Sequence, residues 1–174
     1  MTRTFSLDPI DVSRWQEYRD LWLEALRETP EAFAADYDTQ AKVPDEIWRE
    51  RLEEVLRETT AVMVFAQVDN QLVGMIGAYY EENPKFSHIA TIWGVYVKPE
   101  FRKQGIATDL ANELIEKIKR NPAIKKIKNY SVTTGQMAVT VYKNHGFEIV
   151  GISKEELKTA EGFKDVYIME KYLR

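Results

Sequence analysis

The chain of 174 residues is long enough for one domain with a sizeable core and too short for two full domains. Its 44% hydrophobic and 30% charged residues exclude an intrinsically disordered protein, and the absence of cysteine excludes disulfides, a thiolate metal site and a cysteine nucleophile. The net charge of −4 argues against a nucleic-acid partner, which usually requires a basic face. We therefore expect residues 1–174 to form a single domain with no metal site.

The sequence carries no signal for export or membrane insertion. Its first ten residues lack the long apolar core of a signal peptide, and no run of about 18 apolar residues occurs. We therefore expect a cytoplasmic protein without a membrane partner.

Charge is distributed unevenly along the sequence. Residues 1–87 contain 9 Lys and Arg against 18 Asp and Glu, whereas residues 88–174 contain 15 against 10. An acidic half attracts cations and a basic half attracts anions. The second half therefore suits an anionic ligand, although scattered solvated charges would give the same counts.

The N-terminal third predicts one short strand followed by two helices. Alternating polar and apolar residues over residues 3–8 favour the strand. Apolar residues at helical spacing between Trp15 and Leu26 predict the first helix, and a second helix begins near Asp45. The segment between the helices is loop-like, with one helical turn predicted over residues 30–35.

The remaining sequence predicts strands and further helices. The turn residues Asp69 and Asn70 join two strands, and Pro122 ends a long helix that follows Gly105. The other predicted segments are strands over residues 88–97, 127–132, 147–153 and 163–173 and a helix over residues 135–146. Strands and helices in this order predict a mixed α/β sheet with helices packed on its faces.

The segment "VYVKPEFRKQGIATDL" (residues 95–110) combines the end of a strand, a loop with two basic residues and the start of a helix. The first amides of a helix lack internal partners and carry the positive end of its dipole, so such a terminus binds phosphate. Gly105 allows close approach of a ligand, Arg102 and Lys103 add positive charge, and Thr108 offers a hydroxyl. The segment predicts a pyrophosphate cradle, while an ordinary strand-to-helix turn fits the same pattern. Neither a Walker loop nor a Rossmann glycine turn is present.

Two motifs resemble those of the GNAT family of N-acetyltransferases. In "YVKPEFRKQGIA", the family's signature Arg/Gln-x-x-Gly-x-Gly/Ala is occupied by Arg102, Gly105 and Ala107. The family's later helix pattern A-x-x-x-Y-x-x-x-G-F is matched by Ala138, Tyr142, Gly146 and Phe147. The order of predicted elements also agrees over nearly the whole chain, although the first 60 residues match by order and not by motif. The resemblance implies the acyl-CoA N-acyltransferase fold, a mixed, mostly antiparallel central sheet of about seven strands with helices on both faces.

The resemblance implies acetyl-CoA as the cofactor, used as co-substrate. In the family, amides of the signature loop hold the pyrophosphate, and the preceding strand splays from its neighbour and pairs with the pantetheine arm. Gly94 fits a bulge at that splay, and a backbone N–H near Val95 would polarise the thioester carbonyl. The residues expected to bind acetyl-CoA are Val95, Tyr96, Val97, Arg102, Lys103, Gln104, Gly105, Ile106, Ala107, Thr108 and Lys143.

The implied reaction is direct attack of an amine on the thioester, which requires an acid and a base. The resemblance makes Tyr142 the acid that protonates the departing thiolate, because a phenol stays protonated at neutral pH; an aromatic residue at helical spacing fits a core position equally. Many family members place a glutamate, which acts as the general base, at the position of Thr91, and threonine cannot act as that base. His88 is our expected catalytic residue for this step, since histidine titrates near neutral pH. Glu81 and Glu82 are nearby alternatives, and an exposed histidine without a catalytic role fits as well.

The acceptor site in the family is formed by the first two helices, their connecting loop and the last hairpin. We expect Phe33, Tyr37 and Trp93 to contact the acceptor, the amine of a small molecule or peptide. Acidic residues beside these aromatic side chains suit a cationic amine, namely Glu28, Glu31, Asp36 and Asp38. A solvated acidic surface over an aromatic core fits the same residues. The resemblance also leaves a homodimer open as an assembly.

The sequence leaves several functions open. The first is an N-acetyltransferase that moves an acetyl group from acetyl-CoA to a primary amine. A non-catalytic acyl-CoA-binding regulatory module is an alternative, because Thr91 replaces the family's glutamate. Gly135 replaces the family's frequent asparagine, and this departure concerns one hydrogen bond on the cofactor side. A transferase for a longer acyl group and an interaction domain without CoA binding are the others.

Overall fold

A computed structural model of the chain describes residues 5–132, 136–159 and 161–173. Its α-helices are α1 (Trp15–Glu28), α2 (Tyr37–Gln40), α3 (Asp45–Arg57), α4 (Ile106–Lys119) and α5 (Gln136–Asn144). Its strands are β1 (Ala61–Val68), β2 (Gln71–Tyr80), β3 (Ile89–Val97), β4 (Lys126–Val132), β5 (Glu148–Thr159) and β6 (Gly162–Tyr172). Single 3-10 turns occupy Val12–Arg14, Pro30–Ala32 and Pro99–Phe101.

The strands form one mixed sheet in the order β1, β2, β3, β4, β6, β5. All neighbours are antiparallel except β3 and β4, which are parallel and are connected through α4. The prediction of a mixed, mostly antiparallel sheet is therefore confirmed.

The sheet has six strands in the described part of the chain, where about seven were expected. Residues 3 and 4 of the first predicted strand lie outside the described residues, and the rest contributes an isolated bridge, in which Ser6 and Gln67 exchange two backbone hydrogen bonds of 2.9 Å. The bridge lies where the register of β1 shifts, between Ala66 and Gln67, and Pro9 follows closely. This irregularity prevents a longer ladder, since a bulge interrupts regular pairing and proline lacks an N–H to donate.

The sheet separates two hydrophobic cores, so helices cover both of its faces as expected. Successive side chains of a strand point to opposite faces. In β1, Val62 and Val64 join the core beneath α4 and α5, whereas Met63 and Phe65 join the core beneath α1 and α3. Every residue of β1 is buried, which accounts for its uninterrupted apolar sequence.

The connection between α1 and α3 differs from the predicted loop. The expected helical turn over residues 30–35 is the shorter 3-10 turn Pro30–Ala32, and α2 was not predicted. The side chain of Asp36 caps α2 by accepting a hydrogen bond of 2.8 Å from the amide of Thr39. Such a short helix depends on its cap and not on apolar periodicity, so periodicity could not reveal it.

The strands β3 and β4 separate partway along their length. Residues 89–92 of β3 lie beside residues 126–129 of β4, and the pairing stops there. From that point β4 continues beside β6, and β3 continues beside β2. The two parallel strands therefore diverge and leave one edge of residues 95–97 without a neighbouring strand.

A bulge in β3 lies directly after this divergence. Trp93 is opposite Gly77 and Tyr96 is opposite Met75, so β3 has one more residue than β2 between these pairs. The bulge includes Gly94, whose φ of +65° lies in the left-handed region that favours glycine. The bulge predicted at Gly94 is confirmed.

Candidate functional site

A cavity of about 300 Å³ opens where β3 leaves β4. Its walls are the end of β3, the loop before α4, the first turn of α4 and one face of α5. Ten of the predicted site residues line it, namely Val95, Tyr96, Val97, Arg102, Lys103, Gly105, Ile106, Ala107, Thr108 and Tyr142. The structure thus brings together residues of two motifs that lie some 40 positions apart in the sequence.

The N-terminus of α4 presents backbone amides to this cavity. Gly105 is the N-cap, it has φ +86°, and it provides no capping side chain. The amides of Thr108 and Asp109 are the first to donate within this turn, both to the carbonyl oxygen of Gly105, at 2.9 and 3.1 Å. The preceding amides, including those of Ile106 and Ala107, remain available for a ligand. A Cβ at position 105 would meet no atom within 4 Å, so the space above this turn is open.

Arg102 organises the loop before α4. Its Nε donates a hydrogen bond of 2.8 Å to the carbonyl oxygen of Val97, and its guanidinium lies 5.7 Å from the centre of the Tyr96 ring. The side chain therefore connects the loop to the end of β3, in addition to contributing positive charge to the cavity.

Tyr142 places a phenol at the floor of the cavity. The residue is 3% exposed, and its ring packs edge-on against Phe147 with 5.3 Å between centroids. Its buried hydroxyl has no hydrogen-bond partner of normal geometry in the described structure. Burial raises the pKa of Tyr142 well above its usual value, and the side chain of Asn129 opposes this rise only in part. The phenol is therefore neutral and protonated at physiological pH.

A second cavity, of about 390 Å³, lies on the other face of the sheet. Residues of α1, α2, α3 and the three strands β1, β2 and β3 surround it. It includes the predicted acceptor residue Trp93, whose ring is 5.0 Å from that of Trp22. Trp22 also packs against Gly94, because a Cβ at position 94 would lie 2.7 Å from its indole. The wall of this cavity thus reaches the bulge at which the first cavity begins.

The other two predicted acceptor residues lie near the second cavity without lining it. Phe33 is buried and packs edge-on against Trp22 at 5.7 Å. Tyr37 is half-buried beneath Arg27, whose guanidinium lies 4.6 Å from the ring centre and donates a hydrogen bond of 2.5 Å to the Tyr37 hydroxyl. Both aromatic rings therefore have partners within the protein.

Three other predicted residues do not line the first cavity. Gln104 is exposed and donates a hydrogen bond of 3.2 Å to the carbonyl oxygen of Glu100. Lys143 is exposed on α5. His88 is exposed just before β3, and Val95 lies seven residues further on, roughly 20 Å away at the usual rise of a strand. The structure does not bring His88 to either cavity.

The carboxylate of Glu81 contacts β3. Its Oε1 accepts a hydrogen bond of 3.1 Å from the hydroxyl of Thr91, which is buried in β3. Thr91 and Trp93 are two residues apart before the bulge, so their side chains share the face of the second cavity.

Sequence reasoning missed the apolar and small residues of the first cavity. These are Thr29, Ala32, Ile76, Phe101, Ala111, Ala138 and Val141. No local signal could show that Thr29 and Ala32 line the same cavity as residues of β3 and α4. Gly135, where the sequence departs from the family, lies outside the described residues.

Among the described residues, no helix has the length and apolar character needed to cross a membrane.

Comparison with known proteins identifies relatives for most of the chain. The model of the acetyltransferase (GNAT) family matches residues 15–147. An L-amino acid N-acetyltransferase of Escherichia coli is 29% identical over 161 residues, which cover 91% of this chain and 95% of the relative.

Solved structures share the fold. A GNAT acetyltransferase from Streptococcus pneumoniae superposes with a TM-score of 0.89 at 19% identity, covering 98% of this chain and 100% of the other. An acetyltransferase structure from Salmonella typhimurium, solved with its cofactor acetyl-CoA, superposes with a TM-score of 0.83 at 14% identity, covering 100% of this chain and 95% of the other. The six-stranded sheet and its helices thus have the architecture of these proteins.

Proposed function

This chain belongs to the acetyltransferase (GNAT) family, and on that premise we propose that it transfers the acetyl group of acetyl-CoA to a primary amine by direct attack of the amine on the thioester. The divergence of β3 from β4 carries this proposal, since it leaves an unpaired strand edge beside the free amides of α4. We also infer that residues 1–174 form a single acetyltransferase domain, because both cores pack on the same sheet.

The described residues fit acetyl-CoA. The open space above Gly105 and the free amides of the α4 turn suit the pyrophosphate, and the unpaired edge of residues 95–97 suits the amide-containing arm of the molecule. The basic side chains of Arg102 and Lys103 complement its phosphates. Acetyl-CoA supplies an activated thioester when bound.

Tyr142 is the proposed acid. Its phenol lines the same cavity as Val95, and its interaction with the Asn129 side chain leaves the hydroxyl without a hydrogen-bond partner of normal geometry, so it can donate a proton to the departing sulfur. Because burial raises its pKa, Tyr142 remains protonated over the whole range in which an amine loses its proton.

Glu81 is the proposed proton acceptor for the attacking amine. The hydroxyl of Thr91 fixes its carboxylate on the face of the second cavity. The strand geometry places this carboxylate several residues from the bulge, so a water molecule would carry the proton to it. We favour Glu81 over His88, because Glu81 has a fixed orientation towards β3.

The acceptor is proposed to be a small molecule with a primary amine. The Escherichia coli relative is named for acetylation of L-amino acids, and the second cavity of about 390 Å³ suits a ligand of that size.

Calorimetric titration of acetyl-CoA tests the proposed function. Gly105→Glu should abolish binding, since it fills the open space with a negative charge next to the phosphates. Gly162→Glu is the matched control, because Gly162 also has positive φ and open space around its Cβ but lies in the hairpin between β5 and β6. Wild type and control should bind alike. Failure of the wild type to bind acetyl-CoA would overturn the proposal, whereas binding without CoA release for any amine would indicate a regulatory acyl-CoA-binding module.

A further inference from the structure

The second cavity contains a group of hydrogen-bond donors without acidic partners. Arg51 is half-buried on α3 and is stacked 4.8 Å from the ring centre of Trp48. Its other contact is neutral, a hydrogen bond of 2.9 Å from Nη1 to the amide oxygen of Gln40. Within the residues that the structure describes, Arg51 forms no salt bridge. A guanidinium partly removed from water, with no carboxylate opposite it, is costly unless a ligand supplies the charge.

Two further donors face the same cavity. Nε1 of Trp93 is buried and has no acceptor in the described structure. The hydroxyl of Tyr18 lies in the electrostatic field of Arg51, and burial keeps it neutral by raising the pKa of Tyr18. Unsatisfied buried donors are rare in folded proteins, and each one is satisfied when an acceptor atom of a ligand binds.

The one carboxylate in the cavity lining does not neutralise Arg51. Glu54 is exposed, and its Oε1 accepts a hydrogen bond of 2.7 Å from the hydroxyl of Thr60. Glu54 is therefore held at the start of β1, and it forms no ion pair with Arg51 in the part of the chain that the structure describes, although its charge acts on the Tyr18 hydroxyl together with that of Arg51.

The remaining walls are aromatic. Trp22 and Trp93 meet edge-on, and the exposed Tyr79 lies at the rim. Aromatic walls favour a large apolar group. Trp22 touches both the cavity and the bulge at Gly94, so a ligand held here would lie next to the end of β3 that lines the first cavity.

We propose that this cavity binds the acceptor of the reaction and that the acceptor carries a carboxylate, held by Arg51 with help from Trp93 Nε1–H, together with a large apolar side chain against Trp22 and Trp93. The proposal rests on the proposed acetyltransferase function and specifies its substrate class. It also changes the expectation for this region, because the structure favours a carboxylate as the anchor where the sequence suggested an acidic surface for a cation.

A matched pair of amines tests the carboxylate. L-Phenylalanine and 2-phenylethylamine differ only by that group, so their kcat/KM values report its recognition. With saturating acetyl-CoA, the wild type should favour phenylalanine by about tenfold or more, as expected for a charge-assisted hydrogen bond. Arg51→Gln should lower kcat/KM for phenylalanine about tenfold or more, mainly through KM, and should change the value for phenylethylamine less than threefold.

Arg57→Gln is the control variant. Arg57 lies on the same helix, its side chain is 70% exposed, and it pairs with Glu53 outside the cavity. It should leave both amines unaffected. Equal use of the two amines by the wild type, or an equal loss for both amines in Arg51→Gln, would overturn the proposal.

A binding measurement separates this proposal from the catalytic one. 3-Phenylpropionate has the carboxylate and the ring but no amine, so its binding requires no turnover. Titration followed by tryptophan fluorescence should show saturable binding to the wild type and to Arg57→Gln and at least tenfold weaker binding to Arg51→Gln. Absence of binding to the wild type, or binding that is equal in Arg51→Gln, would refute the site even if the enzyme acetylates amines. Binding without any CoA release would support the site and count against the acetyltransferase function.

Discussion

Nε of Arg102 donates a hydrogen bond of 2.8 Å to the carbonyl oxygen of Val97, five residues earlier in the chain. This contact closes the loop between the end of β3 and the start of α4, and the same guanidinium lies over the ring of Tyr96. The loop geometry that presents the α4 amides thus depends on the planar shape of arginine and not only on its charge.

Arg102→Lys should therefore weaken acetyl-CoA binding although the charge is kept. Loss of a partly buried hydrogen bond of this kind costs about 1 kcal/mol, which corresponds to roughly a fivefold increase in Kd. Calorimetric titration measures the change. Arg120→Lys serves as the control, because that side chain is 67% exposed at the other end of α4. Unchanged affinity in Arg102→Lys would show that the contact with Val97 does not shape the site.

Tyr142→Phe should lower kcat about tenfold or more while the Kd for acetyl-CoA stays similar. The variant keeps the ring that packs against Phe147 and removes only the buried hydroxyl, so the change reports proton donation to the departing thiolate. Steady-state kinetics and calorimetry together make the test. Tyr130→Phe is the matched control, since Tyr130 is 53% exposed on β4 and should behave as wild type. A normal kcat in Tyr142→Phe would remove this residue from the mechanism.

Glu81→Gln should lower kcat/KM most strongly at low pH, where more of the amine is protonated and a proton acceptor is needed. At high pH, where the amine is already neutral, the variant should approach the wild type. The pH profile of kcat/KM provides the measurement. Glu82→Gln is the control on the adjacent, exposed residue. A loss that is the same at every pH would indicate that Glu81 supports the structure around Thr91 instead of accepting a proton.

Residues of the first cavity were largely predictable from sequence because they belong to two contiguous motifs. Gly105 has a positive φ, which the motif indicates through its glycine. Tyr142 follows Ala138 by four residues, so both side chains lie on the same face of α5 and line the cavity. The bulge at Gly94 was predictable for the same reason, since a glycine in an otherwise apolar strand marks a local irregularity.

The acceptor side was not predictable in the same way. Arg51, Gln40 and Trp93 come from three different elements, and only tertiary packing brings them to one cavity. The contact between Glu81 and Thr91 depends on the pairing of β2 with β3, which composition does not determine. In the described residues, the first predicted strand is an isolated bridge for a related reason, because alternation near Ser6 cannot show that its partner β1 is irregular there.

Gly94→Ala should destabilise the protein more than any other glycine-to-alanine change in a strand. A Cβ at this position would lie 2.7 Å from the Trp22 indole, and alanine would also have to adopt φ +65°. Overpacking and left-handed strain each cost about 1 to 3 kcal/mol, so a loss of about 2 to 6 kcal/mol in the free energy of unfolding is expected. Urea denaturation measures it. Gly151→Ala is the control, since its nearest contact would be 3.6 Å away. Similar losses in the two variants would contradict the tight packing of Trp22 on the bulge.

Buried tyrosines should make the free energy of unfolding fall at alkaline pH. Burial raises the pKa of Tyr18, Tyr96 and Tyr142 in the folded state, and a hydrogen bond from Tyr96 to Glu24 adds to the rise at that residue. Above the unfolded pKa of about 10, the unfolded chain releases these protons while the folded chain retains them. The unfolded state is then favoured, so the stability contribution present below pH 10 is lost as pH rises further.

Tyr18→Phe isolates one of these groups. Each such tyrosine contributes a slope of at most about 1.4 kcal/mol per pH unit above pH 10, so the variant should lose stability less steeply than the wild type by up to that amount. Urea unfolding curves at pH 8 and at several values above pH 10 give the slopes. Tyr130→Phe, which removes an exposed hydroxyl, should follow the wild type. Parallel slopes for the wild type and Tyr18→Phe would mean that the Tyr18 hydroxyl ionises equally easily in the folded and unfolded chains, and would contradict the burial of Tyr18 in the core beneath α1 and α3.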